Sequence, residues 1–388
     1  MQNAASDEIK KPRKKIALAK WGMALAAALS LTGFLVASLL VIGVGFPLDD
    51  AWIHQTYARN LAWYGEWAFI PGQPSAGSTA PLWSALLALG YVLRLPYLGW
   101  TFLLGGSSLF GLGLTGEALA RRYFPQLGGS FPWVGLFLIG EWHLVWAAAS
   151  GMETLLFGMC ILLALWWSAR ARGIAWGGVG LLIGASVWVR PDGITLFGPA
   201  AFTLLLCETG WRERMRGLAW LVGGVAALFA PYLLFNLLVQ GSVWPNTFYA
   251  KQAEYAVQRQ LPILLRFFNE VKLPLIGSGI FLLPGFAAFC WKAWRERRWA
   301  VLGAVIWFLG YALLYALRLP VTYQYGRYFI PAMPVYFVIG VAGSISLLQG
   351  LRTRRWGWLL ARVGIISGVI VWGAFYIIGA GRYAQDVA

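Results

Sequence analysis

Apolar stretches close to 20 residues long recur along this chain between residues 21 and 378. A run of that length is what an α-helix needs to cross the roughly 30 Å of a bilayer's hydrocarbon core. Backbone polar groups in hydrocarbon must be satisfied within their own segment, so the pattern dictates an all-α polytopic membrane protein. Composition bears this out: 59% of the 388 residues are hydrophobic and 12% are charged, whereas soluble domains carry about 25% charge. An ordinary soluble enzyme, a disordered chain and a disulfide scaffold are thereby excluded. The three cysteines, Cys160, Cys207 and Cys290, lie in or beside apolar runs and read as core packing rather than a metal cluster.

Hydropathy predicts eleven spans, at about 21–46, 100–120, 131–149, 154–169, 174–189, 193–207, 217–239, 273–291, 299–317, 328–349 and 357–378. The run 81–93 is too short to cross and reads as an interfacial or re-entrant helix. With that segment left uncrossed, twenty basic residues face the cytoplasm and ten face outward, as the positive-inside rule demands. The net charge of +16 therefore marks cytoplasmic loops, and no nucleic-acid partner is expected. Residues 1–20 form a basic cytoplasmic tail, 21–378 a membrane module, and 379–388 an external tail. Two large external loops, 47–99 and 240–272, lie on the non-cytoplasmic side.

Ionisable residues gather on that external side. Asp49 and Asp50 stand where the first span emerges and begin a segment with helical spacing, suited to a helix lying on the membrane surface. The pair can be a helix cap, or a general base or metal ligand, since adjacent carboxylates favour a cation or a substrate beside them. Glu153 opens a span, Arg190 and Asp192 flank a short turn, Lys251 lies in the second loop, and Arg327 precedes a span. Several cations near carboxylates on one face describe a site for an anionic lipid headgroup beside a proton acceptor. Glu141 and His143 lie inside the span 131–149, where an ionisable group is a functional hypothesis by default; a satisfied core histidine is the alternative reading.

Six passages, taken in order, resemble the GT-C superfamily of integral-membrane glycosyltransferases. They are Asp49-Asp50-Ala51-Trp52-Ile53 with Tyr57-Ala58-Arg59-Asn60-Leu61; Pro71-Gly72 through Thr79-Ala80-Pro81-Leu82-Trp83; Ser150-Gly151-Met152-Glu153-Thr154; Arg190-Pro191-Asp192-Gly193; Pro245-Asn246-Thr247-Phe248-Tyr249-Ala250-Lys251; and Gly326-Arg327-Tyr328 with Pro331 and Pro334. The pattern is most similar to the bacterial group near the mycobacterial terminal arabinofuranosyltransferases. Protein mannosyltransferases and lipid A aminoarabinose transferases are more distant.

The resemblance implies a GT-C-type transmembrane bundle with juxtamembrane helices in the first external loop. It implies an enzyme of the bacterial inner membrane that takes a sugar from a polyprenyl-phosphate donor on the external face. The acceptor would be a glycan, lipid or protein hydroxyl. The catalytic acid of the first loop would be Asp49 or Asp50, with Asp49 preferred. Arg327, Lys251, Arg190 and Arg59 would hold the donor phosphate. Glu153, Asp192, His54, Asn246 and Tyr249 would support the base or the acceptor. A single displacement predicts inversion at the anomeric carbon. No cofactor is required; a divalent cation is left open, with Asp49 and Asp50 as its ligands. Close relatives continue into a soluble external domain, and 379–388 resembles the start of one. The rival classes are a lipid-linked sugar transporter or flippase and a non-catalytic glycolipid-binding protein.

Overall fold

The computed structural model describes residues 2–127, 131–245, 247, 251, 253–254, 256–321, 323–351 and 355–388, apart from the side chains of 2–16, 355 and 356. The fold is a helical membrane bundle, in agreement with the expected class. Helix α1 (Gln2–Val41) leads into a juxtamembrane layer: α2 (Asp49–Tyr64), a two-stranded hairpin of β1 (Ala68–Ile70) and β2 (Gln73–Pro74), and α3 (Pro81–Val92). There follow α4 (Tyr97–Tyr123), α5 (Trp133–Gly140), α6 (Trp142–Ala149), α7 (Thr154–Ser168), α8 (Ala175–Val189), α9 (Phe197–Cys207) and α10 (Trp211–Gln240). The chain closes with α11 (Ile263–Val271), α12 (Leu283–Arg295), α13 (Trp299–Arg318), α14 (Met333–Leu351) and α15 (Arg355–Val387).

Among the described residues, six helical segments are long and apolar enough to cross a bilayer. A seventh counts if the pair Ile263–Leu275 and Gly277–Arg295, bent by 95°, is one broken span. Eleven were expected from hydropathy. The difference lies in segments such as α7 and α8, each 15 residues, or about 22 Å at 1.5 Å per residue. Their ends are consumed by the tight turns that carry Glu153 and Arg190.

The expected span 131–149 is broken. Glu141 has extended backbone (φ −71°, ψ 124°) between α5 and α6. Its carboxylate accepts a hydrogen bond from the Leu144 backbone N–H at 3.2 Å, while Oε1 lies 2.8 Å from His143 Nδ1. The two ionisable groups of this segment thus cap a helix break and pair with one another through Nδ1, while His143 Nε2 is buried without a partner among the described residues.

Helix α2 starts with two acids in its first turn, where they face the positive end of the helix dipole. Leu48, not an aspartate, is the N-cap. Helix α3 packs along α2, and its fully buried Trp83 donates from Nε1 to the Gly151 carbonyl at 2.9 Å. At 12 residues, α3 is about 18 Å long, short of a crossing. Helix α15 continues as helix through residues expected to form a tail. Near its end the Tyr383 hydroxyl bonds the Gly45 carbonyl at 2.8 Å and the Ala149 carbonyl at 3.3 Å.

Helices α8 and α10 meet along a seam of small residues. A Cβ on Gly180 would strike the Leu221 carbonyl, and one on Gly224 would strike the Gly177 carbonyl. Close backbone approach of this kind is how helices associate where no hydrophobic drive separates them from lipid. The seam matters to function because α8 carries Arg190 at its end. Gly180→Leu should push α8 from α10 and lower the thermal midpoint of the detergent-purified protein, by an overpacking cost of about 1–3 kcal/mol or more. Gly223→Leu is the control, since a Cβ there meets nothing within 4 Å.

Candidate active site

One cavity draws its walls from stretches far apart in the chain. Asp50 and His54 come from α2, Glu153 from the N-cap of α7, Arg190 from the C-cap of α8, and Lys251 and Arg327 from the later loops. Helical phase explains which residues of α2 take part. His54 follows Asp50 by four positions and shares its face, whereas Asp49 lies about 100° round the helix and Arg59 about half a turn away.

Asp50 sits at the centre. Its Oδ2 lies 3.2 Å from Lys251 Nζ and 3.1 Å from Arg327 Nη2. Burial alone would raise the Asp50 carboxyl, but Lys251 and Arg327 outweigh it and hold the group below the usual carboxylate range. Burial would likewise lower the Lys251 ammonium; the Tyr328 hydroxyl and Asp50 reverse this and raise it. Asp49, by contrast, is exposed, and its Oδ1 accepts the Asp50 backbone N–H at 2.9 Å. The preference for Asp49 as the cavity's acid does not match this placement.

Arg327 is 8% exposed. It donates from Nη2 to the Tyr328 hydroxyl at 2.8 Å, while its Nε and Nη1 are buried with no partner. Tyr328 gathers the cations: Arg327, Lys251 and Arg190 lie 4.8, 5.3 and 5.7 Å from its ring centroid. Arg190 is braced from behind. Its Nη2 lies 3.4 Å from Asp192 Oδ2 and donates to the Tyr315 hydroxyl at 3.2 Å. Asp192 in turn accepts from Tyr311 at 3.1 Å and from Tyr315, so it supports Arg190 rather than lining the cavity.

Glu153 makes no side-chain cap bond to α7 and turns inward instead. Its Oε1 lies 3.8 Å from Arg190 Nη1 and its Oε2 3.5 Å from His54 Nε2. His54 is buried, with Nδ1 3.1 Å from both the Ser78 and the Ser84 hydroxyls. Burial lowers the imidazole below its ordinary value against the pull of Glu153 and Asp50, which keeps it neutral near pH 7. Ser78 and Ser84 are 2% and 0% exposed, so they orient His54 and offer no accessible nucleophile.

Arg59 is turned elsewhere: its Nε and Nη2 each donate to Asn60 Oδ1 at 3.2 Å, and it lies 5.8 Å from the Trp63 ring. Asn246 and Tyr249 lie outside the described residues; Thr247, between them, lines the cavity. Among the described residues no three His, Cys, Asp or Glu side chains come together to hold a metal ion. The acidic oxygen at the centre faces two side-chain cations, so this donor set suits an anion better than a divalent cation. Sequence reasoning did not assign Tyr328, Tyr311, Tyr315, Ser78 or Ser84. Tyrosines are common at membrane interfaces, so these three carry no distinguishing signal in sequence, and nothing in the local pattern of Ser78 and Ser84 announced a histidine partner.

No family model matches the chain. It is 30% identical over 251 residues to the terminal β-(1→2)-arabinofuranosyltransferase of Mycobacterium tuberculosis, covering 59% of this chain and 39% of that protein. The chain therefore spans about two-fifths of the curated relative it matches. Among solved structures it superposes on ArnT from Cupriavidus metallidurans bound to undecaprenyl phosphate with a TM-score of 0.60, at 16% identity, covering 94% of this chain and 74% of that one. The apo oligosaccharyltransferase of Archaeoglobus fulgidus gives a TM-score of 0.63 at 11% identity, covering 93% and 56%. The chain has the GT-C fold.

The Asp50 pairing predicts a pH signature in stability. A carboxyl held below its unfolded value of about 3.9 contributes stability that is complete above that pH and fades as pH falls through its own lower value. Thermal melts of wild type and Asp50→Asn should therefore differ most above about pH 5, and the gap should close in acid. A constant gap across the range would show that the ion pairs contribute nothing.

Proposed function

We propose that the chain is a glycosyltransferase that moves a sugar from a polyprenyl-phosphate donor to an acceptor hydroxyl, with Asp50 as general base. Lys251, Arg327 and Arg190 hold the donor phosphate. The observation that carries this reading is a single carboxylate oxygen shared by Lys251 and Arg327, while two further guanidinium nitrogens of Arg327 stay buried and unpaired. Buried cationic donors without partners are costly and call for an anion. A lipid phosphate supplies it, and the fold neighbour ArnT is known bound to undecaprenyl phosphate.

The chemistry follows from where charge develops. As the anomeric C–O bond breaks, the leaving phosphate gains negative charge, which fixed cations stabilise without reorganisation. The sugar passes through an oxocarbenium-like state, and a carboxylate takes the acceptor's proton as the new bond forms. One displacement on the face opposite the phosphate inverts the anomeric configuration. Neutral His54, four positions along α2 from the base, and Glu153, 3.5 Å from its Nε2, accept or orient the acceptor. The site faces the non-cytoplasmic side of a bacterial inner membrane, a reading supported by the basic residues of the intervening loops.

Donor and base are coupled in this scheme. An arriving phosphate competes for Lys251 and Arg327, and as they turn to it Asp50 loses the charges that keep it a weak base. Asp50 becomes a stronger proton acceptor only once the donor is seated.

Assay of the purified full chain with a radiolabelled polyprenyl-phosphate sugar and a glycan acceptor tests this. Asp50→Asn should lower kcat by about 10²–10⁴-fold, and Asp49→Asn should stay within a few-fold of wild type. Transfer persisting in Asp50→Asn overturns the base. The pH profiles add a second check: the acid limb of kcat, which reports the donor-bound enzyme, should lie at higher pH than that of kcat/KM for the donor. Coincident limbs would refute the coupling of donor to base.

A further inference from the structure

Beside the Asp50 cluster, the cavity wall holds a second polar group whose hydrogen bonds do not close. Glu153 is 2% exposed and lines the cavity, yet its buried Oε2 has no hydrogen-bond partner among the described residues. His54 Nε2 stands 3.5 Å from that oxygen and Arg190 Nη1 stands 3.8 Å from Oε1. Both exceed the roughly 2.7–3.2 Å of a formed N–H···O bond. A buried carboxylate oxygen left this way is costly and calls for a donor.

The far edge of His54 decides where its proton sits. A neutral imidazole has one N–H and one acceptor nitrogen. Nδ1 lies 3.1 Å from both Ser78 Oγ and Ser84 Oγ, and those two oxygens are 3.0 Å apart. With the proton on Nδ1, the Nε2 lone pair would face the Glu153 carboxylate, acceptor against acceptor. With the proton on Nε2, one serine donates to Nδ1, the second serine donates to the first, and the N–H faces Glu153. Only the second arrangement opposes a donor to an acceptor at each contact, so the network assigns the Nε2–H tautomer.

A donor and an acceptor 3.5 Å apart, each short of a full bond to the other, match one chemical group. A hydroxyl oxygen set about 2.8 Å from both accepts from Nε2–H and donates its own proton to Oε2. An ether or a methylene cannot do both, and an ammonium offers no lone pair to Nε2–H. We propose that His54 and Glu153 form a fork for one non-reacting hydroxyl of the sugar substrates, and that Ser78 and Ser84 are positioning residues that keep the imidazole in the tautomer this requires. The inference rests on the reading of the cavity as a sugar-transfer site and deepens it, making that hydroxyl a determinant of specificity. The same chemistry serves a hydroxyl of the transferred sugar or of the acceptor, and the test separates the two.

The radiolabelled transfer assay on the purified full chain is repeated with monodeoxy donors and acceptors, each lacking one hydroxyl other than the reacting one. One analogue should lose at least about 100-fold in kcat/KM, because it leaves a buried carboxylate oxygen unpaired. A failing donor analogue puts the hydroxyl on the transferred sugar, and a failing acceptor analogue puts it on the acceptor. Glu153→Ala should bring the parent substrate down toward that analogue, so that their ratio falls to within a few-fold, with the thermal midpoint unchanged or raised. A merely structural role would lower the midpoint and leave the ratio intact. The chain has two histidines, so nitrogen-15 histidine labelling, with signals assigned by their loss in His54→Gln, reads the tautomer directly. His54 should show a protonated Nε2 and a bare Nδ1 at about pH 7. Ser78→Ala combined with Ser84→Ala should populate the other tautomer and reduce the discrimination about ten-fold. Should that pair fail to fold, the wild-type spectrum and Glu153→Ala decide. Transfer of every monodeoxy analogue within a few-fold of the parent would mean that water fills the fork. That result, or a His54 proton on Nδ1, overturns this inference, while Asp50-dependent transfer leaves the reading of the site standing. Absence of transfer by wild type overturns both.

Discussion

The site is organised by one oxygen atom that two cations share. A carboxylate at the edge of a membrane bundle is expensive to desolvate, and so are the ammonium and guanidinium that meet it. Bringing them together at 3.2 and 3.1 Å offsets much of that cost while leaving a net excess of positive charge. The excess is the functional quantity. It gives the cavity an electrostatic character suited to an anion. Tyr328 contributes by placing the negative face of its ring among the three cations, which eases their mutual repulsion.

Behind that first layer stands scaffolding that restricts each charge to one direction. Arg190 is fixed by Asp192 and the Tyr315 hydroxyl, with Tyr311 holding Asp192 in turn, and the helix that delivers it is clamped by the glycine seam against α10. His54 is fixed by two buried serines. Such bracing is what separates a collection of charges from a preorganised environment, in which little has to move as charge develops.

Much of this was legible from residues alone. Apolar run lengths announced a membrane bundle, and the clustering of acids and bases at span ends singled out Asp50, Glu153, Arg190, Lys251 and Arg327, which share one cavity. What hydropathy could not supply was phase and depth. The adjacency of Asp49 and Asp50 hides that one helical step sends one outward and the other inward. Arg59 fails for the same reason, on the opposite face of α2. Run length also cannot tell a full crossing from a 15-residue helix with its ends taken up by turns, or from a span interrupted at Glu141. Trp146 and Asp386 lie 240 positions apart in sequence, and only tertiary packing makes them neighbours.

The wide spacing of the cavity's walls has a consequence for how the protein is made. Lys251 reaches Asp50 across 201 positions of chain, and Arg327 comes later still. During insertion, helix by helix, Asp50 enters its surroundings long before its counter-charges leave the ribosome, and must wait hydrated at the bilayer margin. The nascent chain therefore carries the Asp50 carboxylate without Lys251 and Arg327 until its later segments arrive.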